Sequence, residues 1–202
     1  MTSAHWQKIY TTKADHEVSW TQKYPTTAVE YLTSLDLDKD ARIIDVGGGA
    51  GNFADALLEL GYMNITVLDI SDAALNRSKA RLGDKAEKVE WIVSDINEFE
   101  TEDAFDFWYD RAVFHFLTED DKVDRYRSLV SDSVAKDGHF LLGTFSENGP
   151  LKCSGLEIRQ YSESRMCEIF DPYFKAIRCF KEAHKTPFDT VQEFQFCGFV
   201  KL

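Results

Sequence analysis

The chain has 202 residues, and its 23 Lys+Arg against 35 Asp+Glu give a formal net charge of −12 at pH 7. At ~150 residues per domain this length predicts one domain, spanning 1–202, and the 44% hydrophobic and 13% aromatic content excludes disorder as its main state. So acidic a surface opposes phosphate neutralisation, so neither nucleic acid nor an anionic membrane is an expected partner, whereas a small or cationic one fits.

In chain order, the first 40 residues hold Trp6, Tyr10, Trp20 and Tyr24, and a helix is expected from Pro25 to Leu35. Ala41–Val46 is a short β-branched run that ends in glycines. Phe53, Ala56, Leu57 and Leu60 then recur at helical spacing before Gly61, a C-cap residue. Ile65–Asp69 reads as a second strand, followed by a helix that Ser71 caps and Gly83 stops. Val89–Ser94 and Phe105–Tyr109 are the third and fourth strands. Thr118, followed by Glu119, Asp120 and Asp121, predicts a capped helix reaching Val134, and His139–Phe145 a fifth strand. Strands alternating with helices imply a parallel sheet covered on both faces. The tail differs: Phe174–Lys185 and Thr190–Lys201 are joined by only four residues, which permits an antiparallel hairpin and no parallel crossover.

The strongest local signal is Ile43-Ile44-Asp45-Val46-Gly47-Gly48-Gly49-Ala50-Gly51, a strand that ends in glycines and opens a helix. Glycines there allow positive φ and let a ligand approach the backbone. The segment resembles motif I of the class I S-adenosylmethionine (SAM)-dependent methyltransferases, whose three glycines fall on Gly47, Gly49 and Gly51. Gly49-x-Gly51-x-x-Ala54 also satisfies a dinucleotide fingerprint, with Asp69 near the ribose acid of an NAD(P)-dependent oxidoreductase. Asp45 favours SAM, because a carboxylate facing two phosphates is electrostatically costly, whereas a sulfonium and an amino group welcome it.

The resemblance runs over nearly the whole chain and implies an α/β Rossmann-like seven-stranded sheet, order 3-2-1-4-5-7-6 with strand 7 antiparallel and helices on both faces. It implies that Asp45, Gly47, Gly48 and Gly49 cradle SAM, and that Asp69, with Ile70 beside it, holds the ribose hydroxyls. It further implies that Asp95 accepts from the adenine amine while Ile96 packs on the ring. S-adenosylhomocysteine would be the product. Trp6-x-x-x-Tyr10 with Glu17–Trp20, and Asp110-Arg111 after strand four, partly resemble elongation-factor lysine methyltransferases, although those enzymes lack the Phe114-His115-Phe116-Leu117 run. By this analogy 1–40 forms a lid over the 41–202 core, with Tyr10 and Trp20 facing the sulfonium through cation–π attraction; the alternative is a helix merely docked through Trp6 and Tyr10.

Methyl transfer from a sulfonium needs a positioned nucleophile and, where required, removal of its proton. Asp110, which the resemblance also places against the cofactor, and Arg111 stand at the acceptor edge. His115 is the best-placed base at an unperturbed pKa near ~6.5, or else a packed core residue. Cys153 and Glu182-x-His184 could reach the same cleft or be structural. The acceptor is expected to offer a nitrogen or oxygen, on a protein lysine or on a small molecule. A non-catalytic SAM sensor is the other class that keeps the same cofactor residues. Cys153, Cys167, Cys179 and Cys197 have no zinc-knuckle spacing, are too sparse for a disulfide scaffold and are expected to be reduced and scattered, with no metal site and no convergent thiols for a soft metalloid. With no apolar leader and no run of ~18 apolar residues, a cytoplasmic protein is expected. Nothing in the sequence sets its oligomeric state.

Overall fold

Ile43, Ile44 and Val46 of one run and Ile65, Val67 and Leu68 of the next are apolar on both faces, which suits central strands of a parallel sheet rather than one face of an open one. The computed structural model, which describes residues 2–202, places them so. The chain divides into two units, Met1–Phe99 and Glu100–Leu202.

In the first unit, α1 (Ser3–Thr12) and α2 (Thr26–Ser34) precede β1 (Arg42–Val46), α3 (Phe53–Glu59), β2 (Asn64–Asp69), α4 (Asp72–Leu82) and β3 (Val89–Val93). β2 runs parallel to both neighbours, with Asp45 level with Val67 and Asp69 level with Val93. The Ser71 side chain accepts from the Ala74 N–H, and Gly83 closes α4 at φ +56°, as the sequence predicts. Gly61 follows α3 at φ +86°, again the expected stop.

The second unit holds β4 (Phe105–Arg111), α5 (Asp120–Ser133), β5 (Val134–Phe145), a small hairpin of β6 (Lys152–Cys153) and β7 (Leu156–Glu157), α6 (Glu163–Phe170), β8 (Phe174–Lys185) and β9 (Val191–Lys201). β4 and β5 are parallel, whereas β9 runs antiparallel to both β5 and β8. Among the described residues the main sheet has seven strands in the order β3-β2-β1-β4-β5-β9-β8. Once the short hairpin is set aside this is the expected 3-2-1-4-5-7-6 with its antiparallel member. Phe140, Phe170, Phe174 and Phe199 close the second unit's core, Phe140 lying 5.1 Å from Phe170 and 5.6 Å from Phe199 by ring centroids. Burying each such side chain contributes roughly 1.5–3 kcal/mol. Among the described residues no helix is long and apolar enough to cross a membrane.

Three local expectations need correction. Thr118 does not cap α5: the cap position is Glu119, and Asp120 and Asp121 supply first-turn charge without a side-chain cap. Strand five starts at Val134, directly after the helix, because Asp137 takes φ +61° and turns the chain without ending the strand. The thiols are neither all reduced nor scattered. Cys179 and Cys197 face each other across the β8–β9 ladder and are joined as a disulfide, with Cys167 of α6 alongside.

Candidate active site

The glycine loop is held from outside as well as by its own geometry. Gly47 (φ +71°) and Gly49 (φ +41°) lie in the left-handed region. The Gly47 N–H donates to the Leu68 carbonyl at 2.7 Å, tying the end of β1 to β2. Space is as decisive as torsion, because a Cβ on Gly49 would sit 2.7 Å from Asp69 Oδ2 and one on Gly48 would collide with the Asp45 carboxylate. The loop is therefore a Cβ-free cradle between two buried carboxylates.

α4 fixes that cradle. Ser78 Oγ donates to the Gly49 carbonyl at 2.8 Å, and Arg81 donates to the carbonyls of Ala50 (3.1 Å) and Gly51 (2.6 Å). Arg81 also grips Asp55 of α3 with two bonds of 3.0 and 2.7 Å. Sequence reasoning missed Ser78 and Arg81. Their signal was present: they are three apart on the helix that follows Asp69, and so on one face of it.

Asp69 ends β2 with Oδ1 accepting from the Ser71 N–H at 2.8 Å, leaving Oδ2 toward Gly49. Burial raises its pKa to about 7, against the lowering effect of the Ser71 and Ile70 backbone N–H groups. Ile70, next in the chain, accepts from Ser3 Oγ at 3.1 Å through its carbonyl. Asp95 is half-buried, with Oδ1 accepting from the Asn97 backbone N–H (2.9 Å) and side-chain amide (2.7 Å). Ile96 beside it is buried.

α1 lies along α4: Gln7 Oε1 accepts from Ser71 Oγ at 3.0 Å and from the Ala73 N–H at 3.1 Å. Tyr10 and Trp20 come together, Trp20 Nε1 donating to Tyr10 Oη at 3.1 Å, and Trp6 packs edge-on against Trp20 at 5.6 Å. Trp6 is buried while Tyr10 and Trp20 are half-buried, so one aromatic cluster both docks the segment and presents two partly open rings. Asn52 adds a second tie, its amide donating to the carbonyls of Gln22 (2.9 Å) and Lys23 (3.1 Å).

In the second unit Asp110 has no solvent exposure. Oδ2 accepts from Tyr126 Oη at 2.7 Å, and Oδ1 accepts from the N–H groups of Val113 (2.9 Å) and Phe114 (3.4 Å). Trp108 Nε1 donates in turn to Tyr126 Oη at 3.2 Å. Burial raises the Asp110 pKa to about 6, and these donors hold it down from going further. Its carboxylate thus organises the turn after β4, in which Ala112 takes φ +76°. A non-glycine residue in that region stores of order 1–3 kcal/mol, which the Asp110 bonds to the Val113 and Phe114 N–H groups help to hold.

That turn sets Arg111 and His115. The Arg111 guanidinium lies over the Phe194 ring at 4.4 Å, and burial lowers its pKa. His115, fully buried in a single 3-10 turn, packs on Phe145 at 4.7 Å and Phe116 at 4.5 Å. Burial first, and then the Arg111 charge, lower its pKa to about 3. The ring is therefore neutral at ordinary pH, a far weaker base than the unperturbed value implies. Neither of its nitrogens has a hydrogen-bond partner among the described residues.

Phe194 links further sequence candidates, touching Phe145 at 4.8 Å and, edge-on, His184 at 6.1 Å. Cys153 is buried in the β6–β7 hairpin, where burial raises its thiol pKa to about 12 against the lowering charge of Arg111. Glu182 is among the groups whose charge acts on Arg111. Tyr126, which sequence reasoning did not single out, is the residue that satisfies Asp110.

Residues 43–138 match a family model described as a methyltransferase domain. Nodulation protein S of Rhizobium tropici is 27% identical over 113 residues, covering 56% of this chain and 47% of that protein, so the chain spans about half the length of this curated relative. The N-methyltransferase NodS of Bradyrhizobium japonicum, solved with S-adenosylhomocysteine, superposes with a TM-score of 0.72 at 15% identity, over 100% of this chain and 99% of that one. The 1,6-didemethyltoxoflavin-N1-methyltransferase of Burkholderia thailandensis, with its acceptor and S-adenosylhomocysteine bound, gives 0.71 at 19% identity over 98% and 83%.

Proposed function

We propose that this chain, a relative of the class I SAM-dependent methyltransferases by fold and by its matched domain, transfers a methyl group from SAM to a nitrogen of a small-molecule acceptor. One observation carries the reading: the Cβ-free loop at Gly48 and Gly49 is walled by the buried carboxylates of Asp45 and Asp69. That pair of acceptors suits ribose hydroxyls and a cationic amino group, and it opposes a pyrophosphate. When bound, SAM supplies an electrophilic methyl group on a sulfonium. The chain's own residues then have separable tasks. Asp69 accepts from ribose hydroxyls, Asp95 from the adenine amine with Ile96 against the ring, and Asp45 faces the cationic tail. Tyr10 and Trp20 offer aromatic faces to positive charge. Asp110 is a positioning residue that sets the Arg111–His115 turn, and His115 orients the acceptor through an unprotonated ring nitrogen.

The small-molecule reading is supported by the two structural relatives, one named as an N-methyltransferase and the other holding a small heterocycle. It is tested by incubating the purified chain and methyl-tritiated SAM with a cell lysate, then separating protein from filtrate. Label in the filtrate is expected. Label in protein would replace the small molecule with a lysine acceptor, and SAM binding with no transfer into either fraction would leave a sensor.

A further inference from the structure

Cys179 sits on β8 and Cys197 directly opposite on β9, while Cys167 comes from α6, the helix preceding the hairpin. The three sulfurs all lie within 4.8 Å of one another, and Cys167 Sγ is 3.9 Å from Cys179 Sγ. Two strand positions and one helix position thus converge, although 12 and 18 residues separate them from Cys179.

We propose that the reduced chain holds one thiophilic d10 cation on the thiolates of Cys167, Cys179 and Cys197, a site separate from the residues assigned to methyl transfer. The spacing fits such an ion: thiolates at ~2.3 Å from a tetrahedral centre stand ~3.8 Å apart, close to the Cys167–Cys179 separation. The donor set is purely sulfur, which selects soft cations over magnesium or calcium. Placement also fits. Cys197 is buried, which excludes water from one side, whereas Cys167 and Cys179 are half-buried and leave a path of entry. Glu163 and Asp171 flank Cys167 with negative charge, which draws a cation to that opening. The disulfide between Cys179 and Cys197 is the metal-free oxidised form of the same cluster.

Loading needs reduction first. A water-soluble phosphine with one water converts the disulfide to two thiols and becomes the phosphine oxide. Binding then releases three protons as three S–H bonds give way to three sulfur–metal bonds. The test titrates Cd2+ into the full chain, reduced with phosphine and freed of it under nitrogen, and follows thiolate-to-cadmium charge-transfer absorption in the near ultraviolet.

Saturation at one Cd2+ per chain is expected. Cys167→Ser should lose about a third of the absorption and at least tenfold in affinity, while Cys153→Ser keeps the wild-type titration. As a measurement that needs no variant, Cd2+ should slow alkylation of Cys167, Cys179 and Cys197 together. No charge-transfer band, a Cys167→Ser titration equal to wild type, or protection confined to two of the three thiols would overturn the proposal. Methyl transfer does not enter any of these readouts, so they fail or succeed independently of it.

Discussion

Protonating Asp69 should release most of the chain's hold on a ribose. Burial at the end of β2 raises this carboxyl to about 7, so the group titrates across the working range of pH. A ribose hydroxyl donates well to the charged form and poorly to the protonated one, so binding favours deprotonation and affinity falls as pH falls through 7. With a pKa of about 7, the charged fraction drops from about nine-tenths at pH 8 to about one-tenth at pH 6. That is about tenfold in affinity, or about 1.4 kcal/mol. A suitable probe is 5′-deoxy-5′-methylthioadenosine, which carries the ribose and adenine without the titratable amino-acid tail. Isothermal titration at pH 6, 7 and 8 measures the effect. Asp69→Asn should bind it weaker by roughly 1.5–3 kcal/mol, the value of a hydrogen bond to a charged group, and should show no slope over this range. A flat wild-type profile, or a slope that survives in Asp69→Asn, would refute the assignment of Asp69 to the ribose.

Other outcomes follow from the same geometry. Gly49→Ala, at φ +41° with its Cβ 2.7 Å from Asp69 Oδ2, should lose roughly 1–3 kcal/mol of stability, visible in thermal melts of the ligand-free chain; an unchanged melt would show that the loop relaxes. Ser78→Ala leaves the Gly49 carbonyl without the 2.8 Å bond to its hydroxyl donor and should cost roughly 1–3 kcal/mol in urea unfolding, with weaker SAM binding. In Tyr126→Phe, Asp110 loses the donor at 2.7 Å. Its folded pKa, already about 6 against an ordinary 3.8, rises further, so the stability lost as pH climbs from 4 through 6 should grow. Urea midpoints at pH 5 and pH 8 should therefore separate more in the variant than in wild type. His115→Ala should lower turnover by roughly tenfold through lost positioning while SAM affinity holds. With its pKa near 3, the wild-type rate should show no His115 limb near pH 6.5; such a limb, vanishing in the variant, would restore His115 as a base.

The glycine loop and its strand context were legible in the chain because their requirements are local. A strand end and its glycines are sequence-adjacent, the acid at the end of the next strand follows after one helix, and the structure brings Asp45, Gly48, Gly49 and Asp69 together. The hairpin was legible too, but its register was not. The four-residue connection read from the sequence closes on five, since Thr186 N–H donates to the Thr190 carbonyl and the last pair is Lys185–Val191. One residue of slip turns every side chain to the other face, so the meeting of Cys179 with Cys197 was hidden. α6 carries a signal that was passed over: Ser162 caps it through the Arg165 N–H, and Met166, Ile169 and Phe170 are its buried face. The environment of His115 was invisible in principle, because its depressed pKa comes from burial and from Arg111 in the folded chain.

The clasp of Ser78 and Arg81 on the glycine loop has a consequence for when order is imposed. Fixing the backbone of a flexible residue costs roughly 1–2 kcal/mol, and in the run 47–51 every residue but Ala50 is a glycine. Here α4 and the Arg81–Asp55 pair hold the carbonyls of Gly49, Ala50 and Gly51 through bonds the chain itself supplies. Folding therefore absorbs much of that entropy loss, and a cofactor bound at this loop should have little of it left to meet. Because the two carboxylates are already buried, association should then be limited by neither loop closure nor the stripping of water from them.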